Sequence, residues 1–293
     1  MRVAVTQGTR PLADALCVGI EASGDEVLRL VRGRPGPGER AWDPLSGRIA
    51  APGLADVDAV VNLWCSSPWH RWTDAVREDM RGSRAAGTLT VVSALEPDGR
   101  CQRFLNLSSV AFYGDGGPDP LTGDSPRGSG FLADITAEWE TAARHAPVPT
   151  ALLRTSHVLA HGAGYLEHRR HRLARRLGSG RQYVPWVHLT DWVRATIVLL
   201  HDPHEGPINI TAPEPVTETT FVRSFNRALG HRPRLPLPEG ALTAWWGEDM
   251  ARSTVLASRR AVPRRLGELG FAFDFPTLDA ALADLLGAAS GRP

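Results

Sequence analysis

The stretch Met1-Arg-Val-Ala-Val-Thr-Gln-Gly-Thr-Arg-Pro-Leu-Ala-Asp-Ala-Leu-Cys17 decides the fold. Arg2 to Thr6 is a short, apolar and β-branched run, which predicts a buried strand. A polar loop from Gln7 to Arg10 follows, and Leu12 and Leu16 then stand at helical spacing. A strand, a tight loop and a helix in this order are typical of the start of a dinucleotide-binding α/β domain.

The loop between this strand and this helix has lost most of its expected glycines. Glycines in such a loop allow the backbone to approach a pyrophosphate at the helix N-terminus. A G-x-x-G-x-x-G pattern finds Gln7, Arg10 and Ala13 at its glycine positions, and Gly8 remains from the usual Gly-Gly pair. The fold pattern is therefore intact, whereas the cofactor pattern is damaged.

Length and composition exclude several classes of protein. The 293 residues suffice for an α/β domain with a smaller companion, and the net charge of +1 gives no general attraction to nucleic acids or anionic membranes. No apolar run approaches the ~20 residues of a membrane helix, and three scattered cysteines favour neither a disulfide framework nor a metal site. We expect a soluble, cytoplasmic protein, with a homodimer left open. All 33 basic residues are arginine, which excludes a Schiff-base lysine.

Apolar runs predict an alternation of strands and helices along the chain. The further strands are expected at Val27–Val31, Val57–Leu63, Arg103–Leu107, Thr150–Thr155 and Ile208–Thr211. The helices are expected at Ser67–Thr88, Leu132–Ala143, Thr217–Leu229 and Leu278–Leu286. Pro35 to Pro52 is rich in proline and glycine and predicts a loop, whereas Leu89–Ala94 is a further apolar segment.

The alternation predicts an α/β protein with a Rossmann-type, doubly wound parallel sheet. We assign residues 1–205 to this domain, with residues 160–186 contributing to the substrate pocket, and residues 206–293 to a small C-terminal substrate domain. Ligands of such sheets bind outside the carboxyl ends of the strands. Ser108, Ser109 and Tyr113 follow one strand end and are expected in that crevice.

Arg32 directly follows the second predicted strand. An acidic residue at this point favours NAD, whereas an arginine accommodates the 2′-phosphate of NADP. The alternative interpretation is a solvated loop arginine.

Several segments resemble one known family. They are Val60-Val-Asn-Leu63, Phe112-Tyr-Gly-Asp115, Leu153-Arg-Thr155, Gly178-Ser-Gly-Arg-Gln182, Trp186-Val-His188, Pro263-Arg-Arg-Leu266 and Leu269-Gly-Phe271. In this order the chain resembles the extended short-chain dehydrogenase/reductase superfamily, in its NAD-dependent epimerase-like branch with a short conserved C-terminal domain. The resemblance implies a Rossmann fold over nearly the whole chain, but function does not follow from fold.

The chain departs from this family at the cofactor. The family loop T-G-G-T-G-F-I-G reads Thr6-Gln-Gly-Thr-Arg-Pro-Leu-Ala13 here, and the family N-L-A-G reads Asn62-Leu-Trp-Cys65. The resemblance implies that small residues lie against the cofactor at that point, so we expect Trp64 and Arg10 to fill the groove. The superfamily's Tyr-x-x-x-Lys pair is also replaced, by Leu132 and Thr136.

The candidate residues fall into three sets. The candidate catalytic residues are Ser108, His157, Arg181 and His188. The candidate pocket residues are Trp64, Ser109, Tyr113, Gln182, Tyr183, Trp186 and Asp191. The cofactor contacts, if a cofactor binds, are Gly8, Thr9, Arg10, Arg32 and Asn62. Each of these residues has a structural alternative, such as helix capping by Asp191, and no metal site is predicted.

The leading hypothesis is an enzyme that has left redox chemistry and binds no cofactor. It would be a cyclase, isomerase or lyase that folds a small, fairly apolar substrate into a reactive conformer, as in natural-product tailoring. The first alternative is an NADP-dependent oxidoreductase or epimerase with an unusual nucleotide loop. The second alternative is a non-catalytic ligand-binding or regulatory protein on the same scaffold.

Overall fold

A computed structural model describes residues 1–8, 10–69, 71–172, 175–232 and 234–287. The described strands are β1 Arg2–Thr6, β2 Glu26–Val31, β3 Glu39–Asp43, β4 Arg48–Ile49, β5 Ala59–Asn62, β6 Arg103–Ser109, β7 Pro120–Leu121, β8 Thr150–Thr155, β9 His157–Ala160, β10 Tyr183–Val184, β11 Trp186–His188, β12 Gly206–Ile210, β13 Val216–Thr217 and β14 Arg260–Ala261. The described helices are α1 Arg10–Ala22, α2 Asp74–Val92, α3 Phe131–Ala143, α4 Gly164–Arg172, α5 Leu189–His201, α6 Glu218–Ala228, α7 Glu239–Trp246, α8 Glu248–Ser253, α9 Arg264–Glu268 and α10 Leu278–Gly287, and Val110–Tyr113 forms a 3₁₀ turn.

The main sheet has eight strands in the order β12-β8-β6-β5-β1-β2-β3-β4. β1 lies inside the sheet and pairs in parallel with β2 on one side and β5 on the other. The pairs β2–β3 and β5–β6 are also parallel, whereas β4 is antiparallel to β3. The predicted α/β class with a Rossmann-type parallel sheet is confirmed.

The chain divides into two compact units. The first comprises Met1–Ser108, Ile135–Leu153 and Val193–Pro207, and the second comprises Ser109–Asp134, Arg154–Trp192 and the chain from Ile208. The second unit therefore collects three separate pieces of sequence. The single division at residues 205 and 206 made from the sequence stays a prediction.

The segment Pro35–Pro52 contains two strands, although its prolines and glycines predict a loop. β3 forms because Trp42 is buried and Arg40 is drawn inward by Asp56. The two guanidinium nitrogens of Arg40 donate to the two carboxylate oxygens of Asp56 at 2.7 and 2.8 Å. The burial of side chains at alternate positions of β3 favours a strand, although proline and glycine lie on either side of it.

Helix α2 joins two segments that the sequence analysis separated. It begins after Thr73, whose side chain accepts a hydrogen bond from the backbone N–H of Val76, and it continues to Val92. The predicted helix Ser67–Thr88 and the apolar segment Leu89–Ala94 are therefore largely one helix, shifted towards the C-terminus. Because Thr73 supplies the N-cap, the helix starts seven residues later than the apolar pattern predicts.

A buried hydrogen-bond network fixes the carboxyl ends of β1, β5 and β6. Asn62 is its centre: Thr6 Oγ1 donates to Asn62 Oδ1 at 2.9 Å, and Asn62 Nδ2 donates to Asn106 Oδ1 at 2.7 Å. Asn62 Nδ2 also lies 3.1 Å from Thr88 Oγ1 of α2, which in turn accepts from Trp139 Nε1 of α3 at 2.8 Å. Because these groups are enclosed, removing one partner would leave the others unsatisfied at a cost of about 1–3 kcal/mol each.

The Trp64 side chain packs on α2 and β3, within the first unit. Its indole lies edge-on to Trp42, with ring centroids 5.7 Å apart and planes at 84°. It also lies against Gly87, where a Cβ atom would come within 2.2 Å of Trp64 Cδ1. The glycine in α2 therefore makes the room that the indole occupies.

In the second unit, His188 joins β11 to α10. Its Nδ1 accepts a hydrogen bond from the backbone N–H of Thr190 at 3.1 Å, and its Nε2 lies 3.2 Å from Asp284 Oδ2. The imidazole stacks on Phe275 with a centroid separation of 3.8 Å. Burial lowers the pKa of His188, although the negative charge of Asp284 opposes that effect.

Gly87→Ala is expected to destabilise the protein by about 1–3 kcal/mol, because the new methyl group overpacks against the Trp64 indole. Gly82→Ala, in the same helix, is the matched control, because no atom lies within 4 Å of the position that its methyl group would take. This control should gain up to about 1 kcal/mol from helix propensity. Urea denaturation of the two variants measures both effects, and equal behaviour of the two variants would contradict the packing of Trp64 on Gly87.

His188 is expected to make stability depend on pH between about 5 and 7. Because its folded pKa is lowered, the unfolded chain binds the proton more readily, so the free energy of unfolding falls as pH drops below the unfolded pKa of about 6.5. Through this one proton, the free energy of unfolding changes by at most about 1.4 kcal/mol per pH unit. Urea denaturation at several pH values should show a shallower slope for His188→Gln than for the wild type. An unchanged slope would show that His188 is not held neutral.

Candidate functional site

The loop after β1 passes close to the loop after β5. A Cβ atom at Gly8 would lie 2.2 Å from the carbonyl oxygen of Leu63, so a side chain at residue 8 does not fit. The backbone N–H of Leu63 donates in turn to Thr6 Oγ1 at 2.7 Å. The surviving glycine of the nucleotide pattern is therefore required by the close approach of two backbones, as expected of a glycine in this loop.

A cavity of about 200 Å³ lies at the carboxyl end of β1, between α1 and β2. It is lined by Val5, Thr6, Gln7, Ala13, Asp14, Cys17, Arg29, Val31 and Glu39. Ala13 is buried in α1, and Arg29 pairs with Asp14 at 2.7 Å. The small side chain of Ala13 keeps this end of the helix close to the sheet, as the third glycine of the pattern does in dinucleotide-binding folds.

Arg32 directly follows β2 and is exposed. Its guanidinium carbon lies 5.3 Å from the centroid of the Trp64 ring, a cation–π distance. The indole thus supports an arginine at the strand end where a 2′-phosphate would be recognised. The close approach at Gly8 and the exposed guanidinium of Arg32 together fit a dinucleotide that carries this additional phosphate.

The other predicted cofactor contacts contribute less to this picture. Asn62 is fully buried, and its side chain is engaged in the network with Thr6, Thr88 and Asn106. Asn62 therefore fixes the position of the loop after β5 through its buried hydrogen bonds. Thr9 and the side chain of Arg10 lie outside the described part of the chain, and only the start of α1 at Arg10 is placed.

A larger cavity of about 490 Å³ lies within the second unit. Its walls come from the segment after the 3₁₀ turn, the start of α3, the loop before β10 and the region of α7 and α8. The lining residues are Gly114, Asp115, Ser129, Gly130, Phe131, Leu132, Ala133, Ser179, Gln182, Glu239, Asp249, Arg252, Ser253, Leu256 and Arg259. This volume is in the ordinary range for a small-molecule site. Leu132, which replaces the superfamily tyrosine, is part of the wall.

The hydroxyl groups predicted at the end of β6 are engaged in local hydrogen bonds. Ser108 Oγ donates to Glu140 Oε1 at 2.6 Å, and both side chains are buried in the first unit. Ser109 Oγ accepts from the backbone N–H of Ala111 at 3.1 Å and so caps the 3₁₀ turn. Ser109 therefore has the backbone-bonding role that is common for serine at a turn.

Tyr113 is enclosed in a network of the second unit. Its hydroxyl lies 2.6 Å from Asn209 Oδ1 and 2.7 Å from the carbonyl oxygen of Thr122, and it accepts from Arg154 Nη1 at 3.0 Å. The Arg154 guanidinium stacks on Phe112 at 3.6 Å from the ring centroid. Sequence analysis missed Arg154, because a single arginine in a strand gives no sign that it is buried.

The two predicted catalytic histidines lie on paired strands but contact different partners. Trp186 and His188 of β11 pair with His157 and Leu159 of β9. The His157 imidazole stacks on Tyr165 with centroids 4.0 Å apart. Burial, together with the positive charges of Arg259 and Arg169, lowers the pKa of His157 to about 3. His157 is therefore neutral at physiological pH and is not available as an imidazolium acid.

The site residues predicted at Arg181, Gln182 and Tyr183, around the start of β10, have different surroundings. Gln182 lines the larger cavity and donates through Nε2 to the carbonyl oxygens of Leu177 and Val255, at 2.9 and 3.1 Å. It therefore holds the loop that forms this wall. Arg181 is exposed, and the backbone N–H of Tyr183 donates to Ser258 Oγ at 3.1 Å.

Trp186 and Asp191 lie in the interior of the second unit. Trp186 is 1% exposed. The Asp191 carboxylate accepts hydrogen bonds from the backbone N–H groups of Asp274 and Phe275 at 2.8 and 2.9 Å. Asp191 thus ties the C-terminal segment to the start of α5.

Sequence analysis missed the charged residues of the larger cavity. Arg252 pairs with Glu239 at 2.9 Å and with Glu248 at 3.0 Å, and Arg259 is buried. These residues belong to C-terminal segments whose helices are short and carry no motif. Within the described ranges, no group of three histidine, cysteine, aspartate or glutamate residues could hold a metal ion, and no helix is long and apolar enough to cross a membrane.

The comparison with solved structures corrects the leading hypothesis. The crystal structure of the human epimerase family protein SDR39U1 contains NADPH, is 32% identical, and superposes with a TM-score of 0.88 over 98% of this chain and 99% of that chain. The expectation of a cofactor-free cyclase, isomerase or lyase is therefore wrong. That hypothesis relied on the bulk of Trp64, whose indole packs on Gly87 and Trp42.

A nucleoside-diphosphate sugar epimerase from Corynebacterium glutamicum is also similar in structure. It superposes with a TM-score of 0.80 at 29% identity, over 98% of this chain and 58% of that chain. Other epimerases and dehydratases superpose at less than 20% identity, which supports the fold alone.

The sequence comparisons agree with the fold. Residues 48–211 match the NAD dependent epimerase/dehydratase family, and residues 237–285 match a domain of unknown function, DUF1731. An epimerase family protein of Mycobacterium bovis is 37% identical over 99% of this chain and 98% of its own length. The human protein SDR39U1 is 32% identical over 98% of this chain and 100% of its own length. The chain therefore belongs to the NAD-dependent epimerase/dehydratase family of extended short-chain dehydrogenases/reductases.

Proposed function

We propose that the protein is an NADP(H)-dependent oxidoreductase or epimerase. The observation that carries this proposal is the exposed guanidinium of Arg32, which directly follows β2 and lies over the Trp64 ring. A guanidinium at this strand end suits the 2′-phosphate that distinguishes NADP from NAD. The NADPH of the human relative supports the same choice of cofactor.

The residues around the nucleotide loop have separate parts in holding the coenzyme. Gly8 allows the loop after β1 to pass directly against the backbone of Leu63, and this sets the position from which the loop would offer its N–H groups to the phosphates. Arg32 makes a charge-assisted contact to the 2′-phosphate, and Trp64 restricts the positions of its guanidinium. Asn62 keeps the loop after β5 in place without contacting the ligand.

The larger cavity of the second unit receives the substrate in this proposal. The bound coenzyme supplies hydride transfer. Leu132 has no proton to move, so proton transfer falls to a group other than the tyrosine of ordinary members. The cavity wall offers carboxylates from Asp115, Glu239 and Asp249, and Gln182 keeps its loop in position.

The full-length protein is expected to bind NADPH with micromolar affinity and NADH at least about tenfold more weakly, because the 2′-phosphate gains a charged hydrogen bond. Arg32→Ala should remove most of that difference and leave NADH binding nearly unchanged. Isothermal titration calorimetry with each coenzyme measures the two affinities.

Arg48→Ala is the matched control, because Arg48 is an exposed arginine of the same unit whose Nε donates to Ser46 Oγ. This variant should keep the wild-type preference. Equal affinity of the wild type for both coenzymes, or no binding of either, would contradict the proposal.

Gly8→Ala is expected to weaken NADPH binding by about tenfold or more, because the new Cβ pushes the loop away from Leu63 and alters the phosphate-binding backbone. Gly82→Ala serves as the control and should bind NADPH as the wild type does. Fluorescence titration of NADPH compares the two variants, and undiminished binding by Gly8→Ala would show that this loop does not hold the phosphates.

A further inference from the structure

Arg259 is a buried cation in the wall of the larger cavity. Its side chain is 5% exposed, and Nη2 donates to the carbonyl oxygen of Ser253 at 2.7 Å. Its Nε is buried and has no hydrogen-bond partner among the described residues. Because this Nε is fully enclosed, a ligand in the cavity would contact the guanidinium through its Nη atoms.

Three carboxylates line the cavity, those of Asp115, Glu239 and Asp249, and within the described ranges none of them forms an ion pair with Arg259. Glu239 pairs with Arg252 at 2.9 Å. Asp115 is exposed and accepts a hydrogen bond from the backbone N–H of Ser258 at 2.9 Å, and it forms no ion pair with Arg259. Burial lowers the pKa of Arg259 to about 10, and the negative charge of Asp115 opposes this only in part. The guanidinium is thus charged at neutral pH and lacks a counter-ion within the described part of the chain.

The N-terminal end of α3 lines the same cavity through Phe131, Leu132 and Ala133. This helix has 13 residues, so its N-terminus carries a partial positive charge from the aligned peptide dipoles. A helix N-terminus and a guanidinium in one cavity both favour a negatively charged ligand. Gly130, with a φ of 103°, directly precedes the helix and adds no side chain to this part of the wall.

The next residue, Arg260, is an arginine whose contacts are made within the protein. Arg260 donates from Nη1 to the carbonyl oxygen of Pro118 and lies 5.3 Å from the centroid of the Tyr183 ring. It is not part of the cavity wall. Its Nε is buried without a partner among the described residues, as that of Arg259 is, so the two arginines differ in their overall burial and in their place on the cavity wall.

We propose that the cavity binds an anionic group, a carboxylate or a phosphate, with the Arg259 guanidinium as its main contact and the N-terminus of α3 as a second. The identification of this group as part of the substrate rests on the proposed function. Arg259 is then a binding and specificity residue that selects acidic substrates over neutral ones. The ligand supplies the counter-charge that the described part of the chain does not give to this guanidinium.

The test uses the full-length protein, with inorganic phosphate and malonate as separate probes in isothermal titration calorimetry. The wild type should bind at least one probe, and the tighter one distinguishes a phosphorylated ligand from a carboxylate. Arg259→Gln should weaken that binding by about tenfold or more, and Arg259→Lys should restore part of it. Arg260→Gln is the control and should bind as the wild type does. Equal binding by Arg259→Gln, or no binding of either anion by the wild type, would overturn the proposal.

Two further measurements keep this result separate from folding and from the proposed function. Wild-type crystals soaked in selenate should show anomalous density at the Arg259 guanidinium, and density only at other places would overturn the proposal even if Arg259→Gln fails to fold. NADPH titrated into Arg259→Gln should bind as it does in the wild type. Anion binding without NADPH binding by the wild type would count against the proposed function alone.

Discussion

The hydrogen bonds of the buried Asn62 side chain hold together the end of the sheet on which the nucleotide site depends. Through Thr6, Asn106 and Thr88 they join β1, β5, β6 and α2, all within the first unit. Because each polar group in this enclosed network has a partner, the loops that follow β1 and β5 leave the sheet in one fixed arrangement. At the same end of the sheet, Gly8 passes so close to the backbone of Leu63 that no side chain fits at residue 8.

Two glycines that are far apart in the sequence, Gly8 and Gly87, make room for neighbouring groups in the first unit. Gly8 lets two backbones meet, and Gly87 gives the Trp64 indole a place on α2. With the indole there, the Arg32 guanidinium gains an aromatic support. The position of the Trp64 indole therefore depends on the absence of a side chain at Gly87.

The sequence predicts β1, α1 and β8 well, because each of them carries one unambiguous apolar pattern with polar ends. The sequence predicts β3 poorly, because Arg40 is buried through its contact with Asp56, which lies outside the short stretch that a local pattern covers. The packing of Trp64 cannot be predicted from the sequence for the same reason, because only the tertiary contact with Gly87 shows where the indole lies. The cavity cation Arg259 could not be found in advance, because its burial depends on three separate pieces of chain that form the second unit.

A crystal structure of the full-length protein grown with NADPH tests the central claim most directly. The account predicts nucleotide density along the loop between β1 and α1, with the Trp64 indole still packed on Gly87 and the Arg32 guanidinium within hydrogen-bond distance of the 2′-phosphate. A Trp64 side chain turned into that loop, with no nucleotide density at saturating NADPH, would contradict it.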